Sequence, residues 1–164
     1  MLSMTSEKKS RLPRTPPRLD LEDFAGNRIR RLQQIAVATF MQDAEASVLT
    51  PVQFAVLYTL AGKSGIDQKT LARSVGFDTS TIGSVIDRLE SRGLLARSLL
   101  AEDRRVRLLN LTKEGSVLIE RVTPSVVRAQ ARILEPLTMA QSQEFMKLVA
   151  LVIAHHEVGA TAVD

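Results

Sequence analysis

The feature that most constrains the fold is a pair of short helical segments separated by only three residues. Asp67 precedes the first segment, Gln68 to Val75, and Asp78 precedes the second, Thr79 to Arg92. An aspartate in this position caps a helix, because its side chain accepts a hydrogen bond from a free N–H of the first turn. Since Gly76 is a typical helix-ending residue, the sequence predicts two consecutive helices with a tight connection, a helix-turn-helix.

The second helix of this pair is predicted to carry a small, polar outer face. Its apolar residues recur at i, i+3, i+4 and i+7, the spacing of one buried helix face, and are Ile82, Val85, Ile86 and Leu89. Small hydroxyls near a helix N-terminus suit contacts to base edges and phosphates in a major groove, and a glycine would let the backbone approach closely. The candidate contacts are Thr79, Ser80, Thr81, Gly83, Ser84 and Arg88. Taken by itself, this pattern also fits an ordinary surface helix that does not contact DNA.

Two apolar runs of strand length follow, Leu94 to Ser98 and Val106 to Leu111, and should pair as an antiparallel hairpin. The polar turn between them contains Asp103, Arg104 and Arg105. No core needs two arginines there, and a protruding arginine suits the negative potential of a narrow minor groove. A carboxylate beside them can hold a guanidinium in one direction by paired hydrogen bonds. A solvated charged turn is the alternative.

The remaining segments are predicted to be longer helices. One spans Leu21 to about Asp43, a second starts at the capping box Thr50 to Gln53 and ends at Gly62, and a third runs from Thr112 to about Leu134 with a kink at Pro124. The last runs from a capping box at Thr138 to about His156. These terminal helices carry more apolar surface than a small domain can cover, which favours a two-fold dimer.

Composition narrows the classes of function. The chain has 164 residues, a formal net charge of +4, no cysteine, two histidines and 4% aromatic residues. Disulfides, thiolate metal sites and thiol redox chemistry are therefore excluded, and stacking platforms for single strands are disfavoured. His155 and His156 diverge by about 100° on a helix and make a poor shared metal site. We predict no metal, no cofactor, no membrane span and no catalytic residues, and a cytoplasmic protein.

The chain contains, in this order, a long helix, LTPVQFAVLYTLA, IDQKTLARSVGFDTSTIGSVIDRLESRGLLAR, AEDRRVRLLNLTKEG and two more helices. With these segments in this order, the chain resembles the MarR family of winged helix-turn-helix transcriptional regulators. Asp103-Arg104-Arg105 matches the family's Asp-x-Arg wing signature, and Leu111 to Gly115 matches its Leu-Thr-x-x-Gly element. The resemblance implies an obligate homodimer with intertwined terminal helices. It also implies that Asp103 orients Arg105 at a wing tip inserted into the minor groove; Arg104 is then a phosphate contact.

The LTPVQF segment resembles, more weakly, the branch of this family linked to the catabolism of aromatic compounds. Members commonly respond to small molecules in a crevice between the dimerisation helices and the winged domain. The aromatic side chains Phe40, Phe54 and Tyr58 would hold a ring there, and Arg31 with Gln33 and Gln34 would hold a carboxylate or phosphate. A place for the aromatic residues in the core, and for Arg31 on the surface, is the alternative.

The predicted fold class is mainly α with a small β-hairpin wing (α+β), a winged helix-turn-helix between N- and C-terminal dimerisation helices. The predicted parts are a basic arm (1–20), a dimerisation helix (21–46), the DNA-binding domain (47–111), C-terminal dimerisation helices (112–157) and a tail (158–164). The arm carries five Lys or Arg residues and is either a solvated tail or a contact to DNA or a partner.

The predicted function is a homodimeric repressor that binds double-stranded DNA. It would be released from a pseudopalindromic operator, with half-sites ~10 base pairs apart, by a small aromatic, phenolic or carboxylate ligand or an acyl-CoA. The alternatives are a winged-helix protein that acts through protein contacts, or a DNA-binding protein without a ligand response. An enzyme is disfavoured, because no nucleophile or phosphate-binding motif is present.

Overall fold

The computed structural model describes residues 20–43, 48–99 and 106–160, with side chains as far as residue 157. Three parts of the prediction lie outside these ranges: the wing residues Asp103, Arg104 and Arg105, the arm except for its last residue, and the end of the tail. A 3-10 turn at Leu21–Asp23 precedes the first helix. The helices are α1 (Ala25–Met41), α2 (Pro51–Gly62), α3 (Gln68–Val75), α4 (Thr79–Ser91), α5 (Lys113–Ile133) and α6 (Met139–Ala160), and the strands are β1 (Ile66–Asp67), β2 (Leu95–Leu99) and β3 (Arg107–Leu111).

The described residues form two compact units, 20–34 and 35–160. In the first unit the predicted helix from Leu21 is interrupted at Phe24, whose backbone is extended (φ −83°, ψ 120°). The preceding turn forms its own cap, because the Asp23 carboxylate accepts a hydrogen bond from the Asp20 N–H at 3.1 Å. The carbonyl of Glu22 accepts a bond of 2.6 Å from Arg28 Nε. The single helix predicted from Leu21 to Asp43 is thus a short turn followed by α1.

The core lies in the second unit, between α2, α3, α4, α5 and the sheet. Fully buried side chains come from each of these elements, for example Leu57, Leu71, Ile86, Leu109 and Val122. All four residues predicted for the buried face of α4 are buried. The helical spacing read from the sequence therefore identified the core face correctly.

The starts of the five later helices, α2 to α6, were predicted correctly. Thr50 and Gln53 form a reciprocal capping box at α2, with bonds of 3.1 and 3.3 Å. Thr138 and Gln141 form another, with bonds of 2.9 and 3.3 Å, and α6 runs four residues past the predicted end at His156 to Ala160. Pro124 lies inside α5.

The three strands form one antiparallel sheet in the order β1-β3-β2. The predicted hairpin is confirmed, and its register pairs Leu95 with Leu111 and Leu99 with Arg107. The third strand, β1, adds to the hairpin by pairing Ile66 with Leu109 of β3. The fold class is confirmed as mainly α with a small β component. In the described part of the chain no helix is both long and apolar enough to cross a bilayer.

Candidate nucleic-acid interface

The helix-turn-helix is confirmed, and its turn is held by side-chain and backbone bonds. The Asp67 carboxylate caps α3 by accepting a bond of 2.9 Å from the Thr70 N–H. Gly76 ends α3 in the left-handed region (φ 71°), a conformation that costs glycine little. The Phe77 N–H then donates to the Ala72 carbonyl at 3.1 Å. These bonds bring the chain directly from α3 into the first turn of α4.

Asp78 organises the first turn of α4. Its carboxylate accepts three hydrogen bonds, from the Ser80 hydroxyl (2.5 Å), the Thr81 hydroxyl (2.5 Å) and the Thr81 N–H (2.8 Å). These bonds, the one from the Ser80 hydroxyl first, hold the pKa of Asp78 well below its ordinary value. Because a carboxylate only accepts, both hydroxyl protons point to Asp78 and the oxygen lone pairs remain available on the outer side.

Five of the six candidate contacts on α4 are exposed: Thr79, Ser80, Thr81, Ser84 and Arg88. Gly83 is different, because it is half-buried and turns towards α3. A Cβ atom at this position would lie 3.0 Å from Gln68 Nε2. Gly83 therefore lies on the flank of α4 that packs against α3, and not on the exposed side with the other five candidates. Its predicted contact to DNA stays a prediction.

The recognition surface formed by the outer side of α4 is tied to the hairpin by Arg97 of β2. The guanidinium of Arg97 bonds the carboxylate of Asp87 at 2.5 Å and also pairs with that of Glu90. The Arg97 N–H donates to Glu90 as well, at 3.3 Å. The pKa of the half-buried Arg97 is raised, mainly by its bond to Asp87. One side chain thus joins the second half of α4 to the first strand of the hairpin.

The hairpin projects as a ladder that is paired as far as Leu99 and Arg107. Its inner half is cross-linked by polar side chains, since Asn110 donates to the Ser98 hydroxyl at 2.8 Å and accepts from the Ser64 hydroxyl at 3.1 Å. Residues 100–106 connect the two strands, so Asp103, Arg104 and Arg105 belong to the end of this ladder in sequence. They lie outside the described residues, and their roles stay a prediction.

Three of the residues predicted for an effector pocket are brought together. The Phe54 ring stacks on Tyr58, with centroids 5.3 Å apart, and lies 6.1 Å from the ring of Phe40. Phe40 is buried with Val126, Phe54 is half-buried, and Tyr58 is 54% exposed. The alternative that placed the aromatic residues in the core therefore fits Phe40, whereas Tyr58 presents its ring to solvent.

The three polar residues predicted for the same pocket belong to the first unit and are exposed. Arg31 forms an ion pair with Glu22 at 3.1 Å, and both side chains are more than half exposed. Gln34 accepts a bond of 3.0 Å from Arg30, and the side chain of Gln33 is exposed. An ion pair between exposed groups contributes at most about 1 kcal/mol, so the Arg31 guanidinium can leave Glu22 for another acceptor at little cost.

Sequence reasoning missed two residues that position this interface, Gln68 and Arg97. A signal existed for Arg97, because a charged residue stood inside an apolar run of strand length next to a helix with two spaced carboxylates. No signal identified Gln68, since its partner is a backbone carbonyl eleven residues away. Among the described residues no group of three or more metal-ligating side chains lies close enough to hold an ion.

Comparison with known proteins places this geometry in a family. The profile of the MarR family matches residues 49–106. The transcriptional repressor NicR of Pseudomonas putida is 30% identical over 124 residues, 76% of this chain and 77% of NicR.

Two solved structures share the fold. BpsR of Bordetella bronchiseptica, described with regulation of its DNA binding by 6-hydroxynicotinic acid, has a TM-score of 0.77 at 30% identity over 84% of this chain and 99% of BpsR. The repressor CouR on a 23-mer DNA duplex has a TM-score of 0.75 at 28% identity over 81% of this chain and 94% of CouR. With its capped helix-turn-helix and paired hairpin, the chain belongs to the MarR family of DNA-binding, winged-helix transcriptional regulators.

Proposed function

We propose that this regulator is a homodimeric repressor that grips a pseudopalindromic operator with α4 in the major groove and the wing in the minor groove. The observation that carries the proposal is the exposed polar first half of α4, which hydrogen bonds to Asp78 within the same chain hold in order. A contact surface that is ordered in advance loses less conformational entropy on binding. The likeness to NicR, a repressor, and to CouR, solved on a duplex, supports the same direction.

On α4 we assign base contacts to the first turns and a phosphate contact to the end. The outward lone pairs of Ser80 and Thr81 suit the amino groups that adenine and cytosine present in the major groove. Thr79 and Ser84 flank them on the same exposed side. Arg88, two turns further on, is exposed and suits a phosphate.

On the wing we assign Arg105 to the minor groove, with Asp103 as the group that aims it and Arg104 on a phosphate. Arg105→Ala should weaken binding about tenfold or more at physiological salt. The duplex for this test is one selected by the wild-type protein from a randomised library, and affinity is measured by fluorescence anisotropy. Arg121→Ala, which removes an exposed charge from α5, is the matched control.

Equal losses in Arg105→Ala and Arg121→Ala would show that the wing contributes charge alone. If the wild-type protein enriched no duplex even at low salt, the alternative of a winged-helix protein acting through protein contacts would replace the proposal.

We assign the second copy of the chain to the exposed apolar surface of the terminal helices. On α6 the side chains of Leu148, Leu151 and Val152 are each more than half exposed and recur at helical spacing. In the first unit Leu21 and Ile29 are 68% and 63% exposed. Apolar surface on this scale needs a partner, and a two-fold pair covers it with one kind of contact.

The effector we propose is a small aromatic acid or its acyl-CoA ester, which stacks on the exposed ring of Tyr58 beside Phe54. BpsR is described with 6-hydroxynicotinic acid, and a second CouR structure, from Rhodococcus jostii RHA1, is described with p-coumaroyl-CoA. Arg31, Gln33 and Gln34 belong to the first unit, and their effector contact stays a prediction. The ligand acts by its higher affinity for a dimer whose α4 helices no longer match successive major grooves.

The effector is tested by adding a panel of hydroxylated benzoic, nicotinic and cinnamic acids, with the CoA ester of the last, to the protein–duplex complex. We expect one class to release the duplex. In Tyr58→Ala, half-release should need an about two- to tenfold higher concentration, since aromatic stacking contributes about 0.5–1.5 kcal/mol. A response that is the same in Tyr58→Ala would remove this residue from the site. No response to any member would favour the alternative of a DNA-binding protein without a ligand.

A further inference from the structure

Gln68 connects the two helices of the DNA-binding motif. It is the first residue of α3, it is half-buried, and its Nε2 donates a hydrogen bond of 2.9 Å to the backbone carbonyl of Thr79. Thr79 is the first residue of α4, so this bond holds the end of α4 that carries the candidate base contacts. Because the acceptor is a backbone atom, the bond depends on where the helix lies and not on which side chain stands at position 79.

Gly83 leaves the space that this amide occupies. A Cβ atom at position 83 would lie 3.0 Å from Gln68 Nε2 and 3.9 Å from Gln68 Cδ. Gly83 lies one turn after Thr79, on the side of α4 that faces α3. An alanine there would push the flexible end of Gln68 aside by a few tenths of an ångström and weaken its bond to Thr79, while the backbones of α3 and α4 stay in place.

A glycine inside a helix is otherwise unfavourable. It costs roughly 0.5–1 kcal/mol relative to alanine, because the unfolded chain has more conformations to lose. The neighbouring exposed positions of α4 carry serine, threonine and arginine. The space for the Gln68 amide is therefore the physical reason for glycine at position 83.

We propose that Gln68 is the positioning residue that sets the orientation of α4 for base readout, and that Gly83 leaves the space that the Gln68 amide needs. The inference rests on the proposed function, in which the first turns of α4 contact base edges. Hydrogen bonds to base edges demand good alignment, whereas phosphate attraction tolerates small displacements. Loss of the Gln68 bond should therefore lower the selectivity of binding more than its general strength.

The test compares Gln68→Ala, Gly83→Ala and the double variant in the full chain. The probes are a duplex selected by the wild-type protein from a randomised library and bulk random-sequence duplex, and the readout is the ratio of the two affinities. Each single variant should lower this ratio about three- to tenfold, the range that one lost hydrogen bond covers. The double variant should be no worse than either single one, since both changes remove the same bond.

Stability is measured alongside selectivity, because a merely structural role would move both together. Gly83→Ala should keep the dimer and unfold at the same or a higher temperature, since alanine favours the helix. Gly62→Ala is the control, because nothing lies within 4 Å of a Cβ at that position and its affinity ratio should equal that of the wild type.

Two outcomes would overturn the inference. If Gly83 instead allowed the DNA backbone to approach, Gly83→Ala would lose selectivity, Gln68→Ala would keep it, and the double variant would be as poor as Gly83→Ala. If both single variants kept the wild-type ratio, Gln68 would have no positioning role. Failure of the proposed function is seen separately and earlier, because the wild-type protein would then enrich no duplex in the selection.

Discussion

At the scale of single residues, the carboxylate of Asp78 has two tasks at the recognition surface. It caps α4 through the Thr81 N–H, and it orders the hydroxyls of Ser80 and Thr81. A negative charge close to a helix that we assign to the major groove is unfavourable for phosphate attraction. Its presence is explained by what it holds, because three donors would otherwise turn to water and lose a defined direction.

The stability that Asp78 contributes should depend on pH. The pKa of Asp78 lies below its ordinary value of 3.8 in the folded protein, so its contribution is present above about pH 4 and is lost as the pH falls further. Asp78→Asn keeps a cap but removes the charge. Wild-type protein should therefore unfold at a higher temperature than Asp78→Asn at about pH 7, with a smaller difference at about pH 3. A difference that is the same at both pH values would contradict this assignment.

At the scale of elements, single contacts join the parts of the winged domain. Arg97 ties β2 to α4 through Asp87 and Glu90. The start of α5 is tied to the start of β2, because the Thr112 hydroxyl donates to the Gly93 carbonyl at 2.7 Å and the Thr112 N–H to the Leu94 carbonyl at 3.2 Å. The wing, the recognition helix and the first long C-terminal helix are thus joined through the few residues at 93–97.

Gly115 allows this close approach of α5 to the strand. A Cβ atom at position 115 would fall far inside van der Waals contact of the Leu94 carbonyl oxygen, a backbone atom that cannot move alone. Gly115→Ala should therefore lower the free energy of unfolding by about 1–3 kcal/mol or more. Chemical denaturation measures the change. Gly26→Ala is the control, because a Cβ there meets nothing within 4 Å, and it should be as stable as the wild type or up to about 1 kcal/mol more stable.

If Gly115→Ala and Gly26→Ala were equally stable, α5 could move away from the Leu94 carbonyl without loss of stability, which would contradict the role assigned to Gly115. The same contact gives a physical account of the Leu-Thr-x-x-Gly element at Leu111 to Gly115. Its leucine ends β3 against the core, its threonine caps α5, and its glycine lets the helix reach the Leu94 carbonyl.

At the scale of the whole molecule, the exposed apolar stripe of α6 should decide the oligomeric state. Leu151 is 68% exposed, and Leu151→Glu places a charge in the surface that we assign to the second copy. The variant should sediment as a monomer, or as a dimer whose dissociation constant is at least about tenfold higher than in the wild type, because burying an unpaired charge is strongly unfavourable. Analytical ultracentrifugation measures this. Leu99→Glu, at a 58% exposed leucine of β2, should keep the wild-type mass.

A Leu151→Glu protein that remained as dimeric as Leu99→Glu would move the interface away from α6. A wild-type protein that sedimented as a monomer would contradict the dimer itself. Both results leave the helix-turn-helix and the recognition surface as they are, because these lie within one chain.

The sequence alone predicted α2 to α6, the hairpin and the buried face of α4, but not the break at Phe24 that precedes α1. Each helix start carries its own chemistry, as in the boxes at Thr50 and Thr138, and the buried face of α4 follows from spacing alone. Such local signals are readable because a cap or a helical period involves residues within about four positions of one another.

Only the tertiary structure decided which residues meet across elements. The pairing of Ile66 with Leu109, the double ion pair of Arg97 and the place of Gly83 beside Gln68 all join residues that are separated in the chain. The spacing of apolar residues identifies only the face of α4 that is buried in the core. It therefore assigned Gly83 to the outer side and did not show that a second element, α3, packs beside it. The local sequence decides where α4 begins and which of its faces is buried. The orientation of α4 relative to α3 and the hairpin depends on contacts that form only when the chain folds.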